Sequence, residues 1–107
     1  MSEFKRIPLH DAHQQWAAGS AKVADIRDPQ AFAMGHIPGA FHLTDASLND
    51  FLQQVEDDDA VLVVCYHGIS SQGAAQYLLQ QGLTNVASMD GGFTAWAHEF
   101  PDAIEHS

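Results

Sequence analysis

Cysteine and positive charge are both scarce in this sequence. A single cysteine, Cys65, stands among 107 residues, and four lysines and arginines face fourteen aspartates and glutamates. One cysteine excludes an internal disulfide, a CxxC redox pair and a metal site built on thiolates, and it suits a reducing compartment. The formal net charge of -10 repels nucleic acid and anionic membrane, so neither is an expected partner. Long apolar runs are missing too: none approaches the ~18 residues of a membrane span, and Met1-Ser2-Glu3-Phe4-Lys5-Arg6 leads into no signal-like stretch. These absences predict a soluble, cytoplasmic protein. Its length predicts one domain over 1–107, enough to bury about two-thirds of its unfolded surface.

What is present centres on Cys65. It ends the apolar run Ala60-Val61-Leu62-Val63-Val64 and opens Cys65-Tyr66-His67-Gly68-Ile69-Ser70-Ser71-Gln72. A valine-rich run of this length reads as a buried strand, and Ser-Ser followed by Gly-Ala-Ala-Gln-Tyr-Leu-Leu reads as the start of a helix. The thiol therefore sits on a tight strand-to-helix turn. Such a turn points successive amides inward and faces the positive end of a helix, so it binds an anion and favours thiolate over thiol. A lone cysteine ending a strand is more commonly just a small buried hydrophobe. Here Gly68 and the paired serines leave the loop side polar, the setting of a reactive cysteine. The acidity of the chain adds a constraint: any anion site must be assembled locally from amides and a helix end.

Along the chain, Phe4 to Ile7 reads as an edge strand closed by Pro8, and His10 to Ala18 as a helix stopped by Gly19. Lys22 to Arg27 reads as a strand, with Asp28 as an N-cap before Pro29 and a short helix to Met34. After the turn at His36 to Ala40 comes a strand at Phe41 to Leu43, then a helix capped by Thr44 or Asp45 and running to about Val55. The acidic loop Glu56 to Asp59 precedes the Cys65 strand, whose following helix ends near Gly82. A strand at Asn85 to Met89, a turn at Asp90-Gly91-Gly92 and a helix from Phe93 to Glu99 follow, and the tail Asp102 to Ser107 is expected to fray. Strands alternating with helices predict an α/β fold, a small parallel β-sheet with helices on both faces. Ligands of such sheets bind beyond the carboxyl ends of the strands, where Cys65 lies.

Four motifs in this order closely resemble the rhodanese family, and within it the small single-domain thiosulfate sulfurtransferases. They are Asp25-Ile26-Arg27-Asp28, Gly35-His36-Ile37-Pro38-Gly39-Ala40, the loop Cys65-Tyr66-His67-Gly68-Ile69-Ser70 with Ser71 after it, and Asp90-Gly91-Gly92 with Trp96. The resemblance implies a rhodanese-like fold and an enzyme that moves sulfane sulfur. Cys65 would take sulfur from thiosulfate, release sulfite, hold a persulfide and pass it to cyanide or to a thiol acceptor such as the dithiol protein thioredoxin. Tyr66, His67, Gly68, Ile69, Ser70 and Ser71 would bind the substrate, with no cofactor and no metal. A ring of inward amides suits a bulky anionic persulfide, and the lack of a second cysteine protects it from exchange. Many family members carry arginine or lysine in or just after this loop. Here Tyr66, His67, Ile69 and Gln72 stand at the candidate positions, with the Gln72 side chain expected to reach outward.

The remaining residues read more plainly. Asp25 and Arg27 suit a structural ion pair, and Trp16, Phe93 and Trp96 the core. Of seven histidines, His10 and His13 share a helix face without a third ligand spaced to join them, and His67 alone stands close enough to influence the thiol. Gly91 and Gly92 suit a tight turn rather than a phosphate cradle. Ser70 and Ser71 can cap the helix or donate to a bound anion. Two other classes of function fit less well. A protein phosphatase of the same fold needs a longer Cys-x5-Arg loop, and the position six after Cys65 is Ser71. A binding module without catalysis has no use for an intact cysteine loop.

Overall fold

A computed structural model describes residues 4–106. Five strands, β1 (Lys5–Ile7), β2 (Lys22–Asp25), β3 (Phe41–His42), β4 (Val61–Val64) and β5 (Val86–Met89), form one sheet in the order β1-β5-β4-β2-β3, with every pairing parallel. Among the described residues there are also five helices: α1 (Leu9–Ala17), α2 (Pro29–Met34), α3 (Leu48–Gln54), α4 (Ser70–Gln80) and α5 (Gly92–Glu99). The fold is α/β, a small parallel sheet covered by helices, as the alternation of strands and helices predicts.

The central strand explains the layering. Val61, Leu62, Val63 and Val64 are all buried, as a parallel strand covered on both faces requires. Val61 and Val63 pack with Phe51 of α3 and with Ala75 and Leu78 of α4. Leu62 and Val64 pack with Ala12 of α1, Trp96 of α5 and Ile37. Period-two alternation thus divides one apolar run between two cores. After β2 the chain turns toward β3, whereas after β4 it turns toward β5, so the loops leaving these neighbouring strands diverge. That is the switch point where parallel sheets open a crevice, and Cys65 is at its lip.

The structure corrects the sequence reading in three places. β2 stops at Asp25, not Arg27, because the Asp25 carboxylate accepts the Arg27 amide at 3.0 Å and draws the chain off the sheet. α3 begins at Leu48, capped by neither Thr44 nor Asp45. Ser47 Oγ accepts the Thr44 amide at 2.8 Å and donates to the His42 carbonyl at 2.9 Å, which forces a turn before the helix. The tail does not fray over its described part: His36 and Glu105 exchange backbone hydrogen bonds of 2.9 and 2.8 Å, and the Trp96 indole donates to the Ala103 carbonyl at 2.8 Å. His36 and Glu105 are remote in sequence, so no local signal announces their pairing. Met1 to Glu3 and Ser107 lie outside the described residues.

Candidate active site

Cys65 is the first residue beyond β4, and its side chain is 3% exposed. From there the chain turns over the carboxyl end of the sheet and enters α4 at Ser70. The turn depends on Gly68, whose φ of +84° lies in the left-handed region; a Cβ there would come within 2.8 Å of the Gly91 nitrogen. With Gly68 in this conformation its amide points inward and donates to Cys65 Sγ at 3.1 Å. The Ser71 amide, in the first turn of α4, donates to the same sulfur at 3.2 Å. The Ser71 hydroxyl lies 3.2 Å from Sγ, accepting from a thiol or donating to a thiolate. Ser71 Oγ in turn lies 2.7 Å from the hydroxyl of Ser88 on β5.

These contacts determine the ionisation of the thiol. Burial pushes its pKa up, but the Ser71 hydroxyl and the amides of Ser71, Gly68 and His67 favour the anion and together outweigh it, leaving Cys65 below a free thiol's value. The positive end of α4 acts in the same direction. Cys65 is thus a thiolate-prone sulfur in a nest of donors.

Other loop residues stand at the rim. Ile69 and Ser70 are exposed, and α4 has no side-chain cap, so the Ser71 hydroxyl serves the sulfur rather than the helix end. Tyr66 lies half out in solvent, its hydroxyl donating to the Asp28 carboxylate. His67 contributes its amide; its imidazole is exposed, and among the described residues no hydrogen bond joins it to the sulfur. Gln72 does not reach outward as expected. Its side-chain amide folds back to donate to the Gly68 carbonyl at 2.8 Å, because that carbonyl faces away from the nest once the Gly68 amide faces in.

The second wall of the site was less legible in the sequence. Gly91 and Gly92 both have positive φ, as a tight turn requires, and the turn also supports the cysteine loop. A Cβ on Gly92 would lie 2.5 Å from the Tyr66 carbonyl group. This close approach lets the Phe93 amide donate to the Cys65 carbonyl at 2.7 Å and the Thr94 amide to the Tyr66 carbonyl at 3.1 Å. The first amides of α5, free at any helix start, are thereby used to anchor the loop. Phe93 is partly buried, with its ring 4.1 Å from the Arg27 guanidinium.

Arg27 is not a substrate ligand in this arrangement. Its guanidinium grips the Asp25 carboxylate at 2.7 to 3.1 Å and the Gly35 carbonyl at 2.6 Å, and both side chains are almost fully buried. Lys22 lies at the amino end of β2, away from the site, Lys5 donates to Asn85, and Arg6 pairs with Asp90 at 3.1 Å. No lysine or arginine therefore belongs to the cysteine loop. His10 and His13 pack their rings against Phe100.

Residues 9–99 match the rhodanese-like domain family. Among solved structures, the chain resembles the protein SSP1007 of Staphylococcus saprophyticus at 29% identity, covering 96% of this chain and 100% of that one with a TM-score of 0.78. It resembles a Rhodopseudomonas palustris protein of unknown function, described as a possible tyrosine phosphatase, at 29% identity over 90% of this chain and 81% of that one, TM-score 0.77. It also resembles reduced Bacillus anthracis CoADR-RHD at 25% identity and TM-score 0.79, covering 96% of this chain but spanning only 18% of that larger chain.

Proposed function

Because the chain belongs to the rhodanese-like domain family, we propose that it is a sulfurtransferase in which Cys65 carries sulfane sulfur as a persulfide between a donor and an acceptor. The observation that carries this reading is the convergence of two amides and one hydroxyl on Cys65 Sγ. With thiosulfate as donor, the Cys65 thiolate attacks the outer sulfur. The S–S bond of thiosulfate breaks, its electron pair leaves with sulfite, and the enzyme retains Cys65–S–S⁻. Cyanide then attacks the terminal sulfur, giving thiocyanate and regenerating the thiolate. A dithiol protein such as thioredoxin can accept in place of cyanide: one thiolate takes the terminal sulfur, and the second displaces it as hydrosulfide while a disulfide forms. This ping-pong course needs only a nucleophile and preorganised donors for the persulfide. Cys65 to Ser71 supply both, and Tyr66, Ile69 and Ser70 form the rim that an acceptor meets.

The finer assignment, to the small single-domain thiosulfate sulfurtransferase type represented by GlpE, rests on the four sequence motifs. A reactive lone thiol is also suited to a reducing compartment such as the cytoplasm. Phosphoryl transfer fits the loop less well. A phosphate ester calls for a guanidinium at the loop, and Arg27 is committed to Asp25 and Gly35.

The test is intact mass after treatment with thiosulfate, followed by cyanide. One sulfur atom gained by the wild type and discharged as thiocyanate is expected. Cys65→Ser should fold, gain no sulfur and retain less than about one part in a hundred of the transfer rate, because an alkoxide does not replace a soft sulfur nucleophile. A wild type that gains no sulfur from thiosulfate or from a persulfide donor is a binding module instead.

A further inference from the structure

β5 carries one polar side chain into an apolar layer. Val86 packs in the core beneath α3 and α4, whereas Ala87 and Met89 pack in the core on the opposite face, so alternation turns Ser88 toward α4. Ser88 lies opposite Val63 on β4 and is 0% exposed. A hydroxyl there costs stability unless it is bonded. Its one side-chain hydrogen bond among the described residues is the 2.7 Å contact with Ser71 Oγ. Ser71 is also 0% exposed, and its hydroxyl has one other side-chain partner, Cys65 Sγ at 3.2 Å. Three buried atoms thus form a line: Ser88 Oγ, Ser71 Oγ, Cys65 Sγ.

Counting hydrogens shows what the line favours. The two serines hold two hydroxyl hydrogens. If Ser88 donates to Ser71 and Ser71 donates to sulfur, both are used, provided that the sulfur is a thiolate with a free lone pair. In the opposite direction Ser71 donates to Ser88, the Ser88 hydrogen has no acceptor among the described residues, and the Ser71 hydrogen points away from sulfur. An unused buried donor is costly, and a donor that itself accepts a hydrogen bond is strengthened.

We propose that Ser88 is a positioning residue of the sulfur-transfer site: by donating to Ser71 Oγ it commits the Ser71 hydroxyl to Cys65 Sγ. Ser88 touches no reacting atom and acts only through Ser71. The proposal rests on Cys65 being the reactive thiol, but its test does not require sulfur transfer.

The experiment follows Cys65 alkylation by iodoacetamide against pH in the wild type, Ser88→Ala, Ser71→Ala and the double variant, with folding checked by circular dichroism. Removing one oxygen from a buried site preserves the packing volume nearly unchanged. Ser88→Ala should raise the alkylation midpoint by about half a pH unit to one unit, the scale of one neutral hydrogen bond and less than the loss of a direct bond to the thiolate would give. In the Ser71→Ala background the same change should leave the midpoint where it is, since the relay is already cut. A merely structural serine would alter stability and leave both midpoints alone. An unchanged midpoint in Ser88→Ala, or an equal rise with Ser71 absent, overturns the proposal. If the midpoint moves as stated while the wild type takes up no sulfur, the positioning role stands and the sulfurtransferase reading falls.

Discussion

The Phe93 amide donates to the Cys65 carbonyl oxygen at 2.7 Å, so the start of α5 holds the base of the loop whose inner face holds the thiol. The two residues are brought together by Gly92, which passes so close beneath Tyr66 that no side chain fits between them. Loop geometry, and through it thiol ionisation, is therefore set jointly by two helix starts: α4 donates to the sulfur and α5 to the backbone that carries it.

Gly92→Ala should consequently damage both stability and activity. The substitution meets a φ of +64° and a backbone group at 2.5 Å, whereas Gly19→Ala meets a similar φ of +71° with nothing within 4 Å. Left-handed strain alone costs about 1–2 kcal/mol, which is the loss expected for Gly19→Ala with sulfur transfer intact. Gly92→Ala should lose more than that in urea unfolding and lose transfer activity as well. Equal stability losses in the two variants would show that the close approach to Tyr66 carries no energetic weight.

Thiol ionisation gives a pH dependence of defined sign. Burial raises the Cys65 pKa and the Ser71, Gly68 and His67 donors lower it further than burial raises it, so the folded value lies below the unfolded one. The folded protein then releases its thiol proton at lower pH than the unfolded chain does. The resulting stabilisation is fully present above the free thiol's value, about 8.5, and is lost as pH falls through the lowered folded value. Unfolding free energies of wild type and Cys65→Ala should therefore diverge in favour of the wild type as pH rises across that window. A difference independent of pH would mean that the nest does not favour the thiolate.

Charge at the mouth is the next variable. Gln72 donates to the Gly68 carbonyl at 2.8 Å, and a lysine at 72 can keep a donor near that carbonyl while adding the cation the loop lacks. At low salt, Gln72→Lys should raise kcat/KM for thiosulfate roughly three- to tenfold, since ~1.4 kcal/mol of attraction is tenfold. The gain should shrink at high salt through screening. Steady-state kinetics at two ionic strengths decide it, and a gain insensitive to salt would assign the effect to loop geometry instead of charge.

The buried pair beneath the site gives the largest expected stability loss. Asp25→Asn leaves the Arg27 guanidinium, 4% exposed, without its counter-charge. Breaking such a pair from one side costs about 3–5 kcal/mol, far more than an exposed salt bridge is worth. Arg6→Gln, which breaks the solvent-exposed bridge to Asp90, should by contrast change the urea midpoint little. Comparable losses in the two variants would place the energetic weight of the Asp25–Arg27 pair elsewhere.

Local physics made much of this protein legible in its sequence. The run Val61 to Val64 reads as a buried strand, and the turn into a helix after it marks Cys65 as an anion-stabilised thiol. Four cations against fourteen acids point to stabilisation by amides and a helix end, and the structure adds the Ser71 hydroxyl to those amides. What the sequence could not express were contacts closed by the tertiary fold. Gly91 and Gly92 read correctly as a turn, but that the turn props up a loop some 25 residues earlier depends on β4 and β5 lying side by side. Ser88 carries only the faint mark of a hydroxyl at a core-facing strand position, and its link to Ser71 exists because α4 packs over β5. The order of the tail is hidden from the sequence for the same reason: His36 and Glu105 pair across a long separation. Periodicity and turn chemistry act between neighbours along the chain and can be read there, whereas hydrogen bonds between remote segments depend on how the layers pack.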